Sequence, residues 1–291
     1  MQLIEGASVI QTSDSREVCF VVVGGVHGNE PAGIRAIHML TTLVHDGTWQ
    51  IEGNVYALIG NPEAINKSER FCEENLNRAF KDPESNTREG MRARDIRTWF
   101  SELAGMYKNV YLLDLHSVSI GETRIVVFDP GRQRSEAWAQ QISPIPFRMG
   151  SPRSIVSGML TSAIEKLGGV AVLIECGNHA SETGVTVALE HIENALSSLH
   201  MLKAQKASFK GSVAYEGDPH TYIVTDIIKT APGFTFTDSD VRSETFVKKG
   251  DVYAKDDRSE HRAVEDCYLM MPAKNPQPED FDAGFLATRK A

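Results

Sequence analysis

"VCFVVVGGVHGNEPAG", residues 18–33, decides how this chain is read. An apolar, mostly β-branched run ends in two glycines, and then come a histidine and a glutamate three apart, followed by a proline. An apolar run of that length, bounded by turn formers, predicts a buried strand. Pro31 marks a helix start, because its fixed φ suits the first turn and its missing N–H would have no partner there. The helix predicted behind it, "PAGIRAIHMLTTLVHDG" (31–47), stops at a glycine. The stretch is therefore a strand–loop–helix unit with His27 and Glu30 in the loop.

Two more runs have the same texture, "NVYLLDLH" (109–116) and "GVAVLIECG" (169–177), and "GNVYALIGNP" (53–62) is a fourth candidate strand. Helical patterns lie between and after them, at 87–107, 158–169 and 182–202. Strands alternating with helices predict an α/β fold with a mostly parallel sheet flanked by helices. After about residue 205 the pattern shortens. "TYIVTDIIKTAPGFTFTD" (221–238) and "DVYAKDD" (251–257) alternate on a short period and are broken by Gly, Pro and Asp. The sequence divides into an α/β domain over 1–204 and a smaller β-rich C-terminal domain over 205–291, with an extended, turn-rich tail "PAKNPQPEDFDAG" (272–284).

Composition narrows the function classes. The 291 residues carry a net charge of -9 and no basic cluster, so nucleic acid is not an expected partner. No stretch approaches the apolar length of a membrane span, and the N-terminus lacks the pattern of a signal peptide. Cys19, Cys72, Cys176 and Cys267 form no CxxC pair and read as free thiols, which makes the cytoplasm the expected location. A bound metal would then rest on histidine and carboxylate.

The three strongest strands each deliver polar groups at or just past their C-terminal ends: His27 and Glu30, then His116, then Glu175. Ligands of open α/β sheets bind outside those strand ends. Two histidines and a carboxylate form a catalytic zinc set with a fourth position open to water. Glu175 is the separate carboxylate that proton transfer to a leaving group needs, and Asp114, two residues before His116, can orient that ring from behind. Singly, each group also fits a solvated strand end or a satisfied core pair; the coincidence at three strand ends argues for a site. A second cluster, "GNPEAINKSERFCEENLNRAF" (60–80), carries Arg70, Asn77 and Arg78, whose chemistry suits carboxylate binding or simply a solvated loop.

"GGVHGNE", "NPEAINKSERFCEENLNRAF", "DLHS" and "IECG", in that order over roughly residues 20 to 180, resemble the aspartoacylase/succinylglutamate desuccinylase family, relatives of the zinc carboxypeptidases. The resemblance implies a zinc-carboxypeptidase-like mixed sheet with a β-rich C-terminal domain. It implies one zinc ion held by His27, Glu30 and His116. Glu175 is then the general acid/base, Arg70 polarises the scissile carbonyl, and Asn77 and Arg78 grip the substrate's α-carboxylate. The implied reaction is hydrolysis of a small N-acyl amino acid. A peptide-trimming metallocarboxypeptidase and a non-catalytic binding module share the same motifs, and a homo-oligomer is left open.

The sequence departs from the family in places. Asn75 stands where Asp is common, and Ser117 and Ser119 stand where Thr is common. By the same resemblance Arg153, in "SPRSIVSG", is the candidate for binding an acidic substrate side chain, and Tyr253 or Tyr268 the candidate tyrosine from the C-terminal domain. His179, close behind Glu175, either touches substrate or caps the next segment.

Overall fold

A computed structural model describes residues 2–82, 84–119, 121–215, 219–273, 276 and 282–290. Most of the 274–281 part of the predicted tail lies outside the described residues. In order the elements are β1 (Ala7–Gln11), β2 (Val18–Gly24), α1 (Pro31–His45), β3 (Trp49–Ile51), β4 (Asn54–Ile59), α2 (Pro62–Lys67), α3 (Leu76–Ala79) and α4 (Arg88–Met106). There follow β5 (Asn109–Val118), β6 (Arg124–Phe128), α5 (Gln133–Ile142), β7 (Phe147–Gly150), α6 (Leu160–Lys166), β8 (Val170–Asn178) and α7 (Thr183–Ser198). The C-terminal part holds β9 (Leu202–Gln205), β10 (His220–Lys229), β11 (Thr235–Phe236), β12 (Thr245–Val247), β13 (Val252–Lys255), β14 (Glu260–Arg262), β15 (Cys267–Met270) and β16 (Asp282–Arg289).

The main sheet has the order β1-β4-β2-β5-β8-β6-β7-β10-β16-β15-β12. Its centre, β4-β2-β5-β8, is parallel, and these are the four strands that the apolar runs predict. The runs are continuous because both faces are covered. On β2, Phe20 and Val22 pack with α1, α5 and α7, while Cys19, Val21 and Val23 pack with α4 and α6. Each fully buried large side chain of this kind contributes about 1.5–3 kcal/mol.

Beyond β8 the sheet becomes mixed. β6 is antiparallel to β8, β7 is parallel to β6, and β10 is parallel to β7. The sheet therefore runs on past residue 204 into β10 and its antiparallel partners β16, β15 and β12. A separate small core of Ile228, Phe234, Val247 and Leu269 lies in that C-terminal part. Among the described residues no helix is long and apolar enough to cross a membrane, and all four cysteines are free.

Two glycines explain the turn between β2 and α1. Gly25 has φ 71°, in the left-handed region that side chains disfavour. Gly28 lies so close to the α2 backbone that a Cβ there would sit 2.2 Å from the carbonyl carbon of Ala64. Its N–H donates to Arg70 O at 3.2 Å, tying the histidine loop to the arginine segment.

Candidate active site

The C-terminal ends of β2, β5 and β8 lie side by side, and the pairing sets His116 directly opposite Glu175. Glu30 occupies the N-cap position of α1, but its side chain makes no cap hydrogen bond. Its carboxylate turns instead into the crevice, between His27 Nδ1 at 2.7 Å from Oε1 and His116 Nδ1 at 3.0 Å from Oε2. Donor atoms of His27, Glu30 and His116, all three buried, lie within 4.8 Å of one another.

The outer nitrogens settle what the inner ones can do. Asn75 Oδ1 accepts from Asn77 N at 2.9 Å, so it is the amide oxygen, and His27 Nε2 at 3.0 Å must donate to it. That leaves a lone pair on Nδ1 facing a carboxylate oxygen at 2.7 Å, a repulsion that a bound cation would relieve. Burial, aided by the Arg70 charge, pushes the His27 imidazole down to about 4, so a second proton is disfavoured there. His116 Nε2 lies 3.0 Å from Asp114 Oδ2, at ion-pair distance but off the line of a hydrogen bond. Burial opposes its protonation, yet the Asp114 and Glu30 carboxylates outweigh burial and hold His116 well above its ordinary value. Burial likewise opposes the charge on Glu30, and the two imidazoles outweigh it to hold that carboxyl well below the usual range. Inward nitrogens facing one carboxylate, with the outward nitrogens bonded to an amide carbonyl in His27 and paired at ion-pair distance with a carboxylate in His116, are a donor set that fits a divalent metal; binding would displace the His116 Nδ1 proton.

Glu175 is buried, and among the described residues its Oε2 has no hydrogen-bond partner. Burial is the main reason its carboxyl is pushed up to about 8, partly offset by His116 and Arg70. A perturbed, unpaired carboxyl in a crevice is poised to hold and release a proton near neutrality.

The arginine segment is held from beneath. Glu89, fully buried in the first turn of α4, accepts from Cys72 N at 2.6 Å, Glu73 N at 3.1 Å, Glu74 N at 3.2 Å and Asn61 Nδ2 at 3.1 Å. Four donors converging on one carboxylate fix residues 72–74, between Arg70 and Asn75. Glu89→Ala strands those donors and is expected to lower stability by about 2–4 kcal/mol, read as a drop in the thermal unfolding midpoint; an unchanged midpoint contradicts that role.

Arg70 donates from Nη1 to Glu30 Oε1 at 3.1 Å. Asn77 Oδ1 accepts from Leu160 N at 2.8 Å, leaving its Nδ2 donors for a ligand. Arg78 donates through Nε to Asp282 Oδ2 at 2.9 Å and through Nη2 to the same oxygen. Arg70, Asn77, Arg78, His27, Glu30, His116 and Glu175 line one cavity of about 280 Å³.

Two expectations need correcting, and one open alternative is decided. Arg153 does not line that cavity: its Nε lies 3.0 Å from Asp129 Oδ2 and its Nη2 2.8 Å from Glu165 Oε2, and the two carboxylates hold it away. Neither tyrosine reaches the cavity, since Tyr253 packs beside the C-terminal core and Tyr268 against Tyr222 and Phe246. Of the two readings of His179, the structure favours the first: the N-cap of α7 is Glu182, and His179 lines the cavity, with Nδ1 2.8 Å from Ser117 Oγ. Asp282, which supplies the carboxylate on Arg78, belongs to no motif visible in the sequence.

The sheet and the convergent donor set define an α/β protein with a metal-competent crevice at its parallel strand ends. The chain belongs to the succinylglutamate desuccinylase/aspartoacylase family, whose catalytic-domain model ("Succinylglutamate desuccinylase/Aspartoacylase catalytic domain") matches residues 18–199. A succinylglutamate desuccinylase from Pseudomonas aeruginosa is 31% identical over 144 residues, 46% of this chain and 43% of its own length. The match thus spans less than half of that relative. The enzyme of the same name from another strain of that species is 27% identical over 299 residues, 98% of this chain and 89% of its own. The crystal structure of succinylglutamate desuccinylase from Vibrio cholerae superposes with a TM-score of 0.75 at 18% identity, covering 97% of this chain and 90% of that one, a likeness of fold.

Proposed function

We propose that the protein hydrolyses the amide bond of small N-acyl amino acids, releasing a carboxylic acid and an amino acid. The observation that carries this reading is the convergence of two imidazole Nδ1 atoms on Glu30, in the same cavity as the unpaired Glu175 carboxyl. In this reading His27, Glu30 and His116 hold one zinc ion. Zinc suits two imidazoles and a carboxylate with one open position, and when bound it polarises a carbonyl and acidifies a water. Glu175 takes the proton of the attacking water and passes it to the amine nitrogen as the C–N bond breaks. Arg70, whose side chain is 38% exposed, swings from Glu30 to donate to the oxygen that gains charge. Asn77 Nδ2 and Arg78 hold the substrate's carboxylate.

The names of the relatives support an N-acyl amino acid as substrate. Ser243, Met271, Asp282 and Phe285, all from the part after residue 205, wall the cavity. In the proposed two-domain division, 1–204 and 205–291, that C-terminal part closes the entrance against long chains. The test is zinc-loaded protein given N-acetyl and N-succinyl amino acids beside peptides. Free amino acid is expected from the former. Release from peptides alone points to a carboxypeptidase, and turnover of neither with zinc bound points to a binding module.

A further inference from the structure

We infer that the amino-acid half of the substrate carries an uncharged, apolar side chain, so that the preferred substrates are N-acyl derivatives of neutral amino acids rather than of aspartate or glutamate. The inference rests on the proposed deacylase reading and names its substrate class.

The sheet itself supplies the surface. Leu173 lies two residues before Glu175 on β8 and so on the same face. Val127 of β6 pairs in register with Leu173, and Met149 of β7 pairs in register with Val127. Leu173, Val127 and Met149 thus form one row across three adjacent strands, and all three line the cavity. Val156, Met159 and Phe285 extend the apolar wall.

This wall adjoins the proposed carboxylate grip. Asn77 is bonded to Leu160, the residue after Met159. Gly158 lies against Arg78, where a Cβ would sit 2.3 Å from Arg78 O. A substrate whose α-carboxylate is held at Asn77 and Arg78 therefore presents its side chain to the apolar row.

Among the described residues that apolar row offers a second carboxylate no counter-charge. Among the described residues the arginines lining the cavity are Arg70 and Arg78. Arg70 faces Glu30 and the reacting end. Arg78 already shares its charge with Asp282, whose carboxylate also repels an acidic side chain. Arg153, the cation whose sequence context suggested acidic recognition, is held by Asp129 and Glu165. A carboxylate seated on Leu173, Val127 and Met149 would be desolvated without a counter-charge, which is strongly unfavourable.

The experiment compares kcat/KM of the zinc-loaded protein on N-acetyl-leucine and N-acetyl-methionine with that on N-acetyl-aspartate and N-acetyl-glutamate. The neutral pair is expected to win by about a hundredfold. Equal or better turnover of the acidic pair overturns the inference and leaves the deacylase reading standing. Hydrolysis of neither pair, nor of the matching N-succinyl derivatives, removes the deacylase reading instead, and the side-chain preference is then read by calorimetry on Glu175→Gln. Tighter binding of N-acetyl-leucine than of N-acetyl-aspartate supports the inference, while equal, reversed or absent binding overturns it.

Discussion

Glu175→Gln is expected to reduce kcat by about 10³–10⁴-fold while the protein keeps its metal and its fold. Glutamine fills the same space but neither accepts a proton from water nor returns one to the amine. None of the three proposed metal donors is altered, so metal content isolates the proton-transfer role from site assembly. The substitution has a second consequence, in stability. Burial raises the folded pKa of Glu175 from an ordinary 4.5 to about 8. A raised carboxyl favours the folded state while it is protonated, and that advantage fades as pH climbs from the unfolded value through the folded one. Metal-free Glu175→Gln should therefore melt above metal-free wild type at pH 8, with the gap closing toward pH 4.5. A variant that melts lower at pH 8, or that keeps more than a tenth of wild-type kcat, contradicts the assigned role.

Zinc is expected to raise the unfolding midpoint of the wild-type protein by about 10 °C when supplied at about a thousand times its Kd, since ligand held only by the folded state adds about 4 kcal/mol. His116→Ala removes one of three donors and leaves Asp114 buried with no histidine against it. That variant is expected to show almost no zinc-dependent shift and to be less stable without metal by about 3–5 kcal/mol, the consequence of stranding a buried charge. A full zinc shift in His116→Ala would exclude this histidine as a ligand. His27→Ala is a milder case, because Asn75 Oδ1 keeps its bond from Asn77 N when the ring is gone.

What the sequence made legible follows from how each part is buried. β2, β4, β5 and β8 read as apolar runs because helices cover both their faces, and a strand covered on both sides has no polar positions to interrupt it. The polar groups that do interrupt, His27, Glu30, His116 and Glu175, stand out for the same reason. β6 and β7 are short and separated by α5, and nothing local announces that β7 takes β10 as a parallel neighbour some seventy residues on. A texture change at 205 is real in the sequence, but the hydrogen-bonded sheet crosses it.

The misreadings around the site have the same origin. Arg153 carried the chemistry of a substrate clamp, but its fate depends on Asp129 and Glu165, which the fold brings to it. Asp282 reaches Arg78 from 204 positions away, a pairing with no local signature. His179 could not be assigned between substrate contact and capping from the sequence, because only the end of β8 turns its ring toward Ser117 and the cavity. Asn75 illustrates the opposite case. Its departure from the common Asp keeps the acceptor that both Asn77 N and His27 Nε2 need, and it leaves the site one negative charge lighter.

The most direct measurement is the zinc stoichiometry of the purified chain, by native mass spectrometry with parallel metal analysis, for wild type, Glu175→Gln, His27→Ala and His116→Ala. The expected result is about one tightly held zinc in wild type and in Glu175→Gln, and little or none in the two histidine variants. A folded wild-type protein that takes up no zinc, or histidine variants that bind it as well as wild type, would contradict the metal centre on which the proposed chemistry depends.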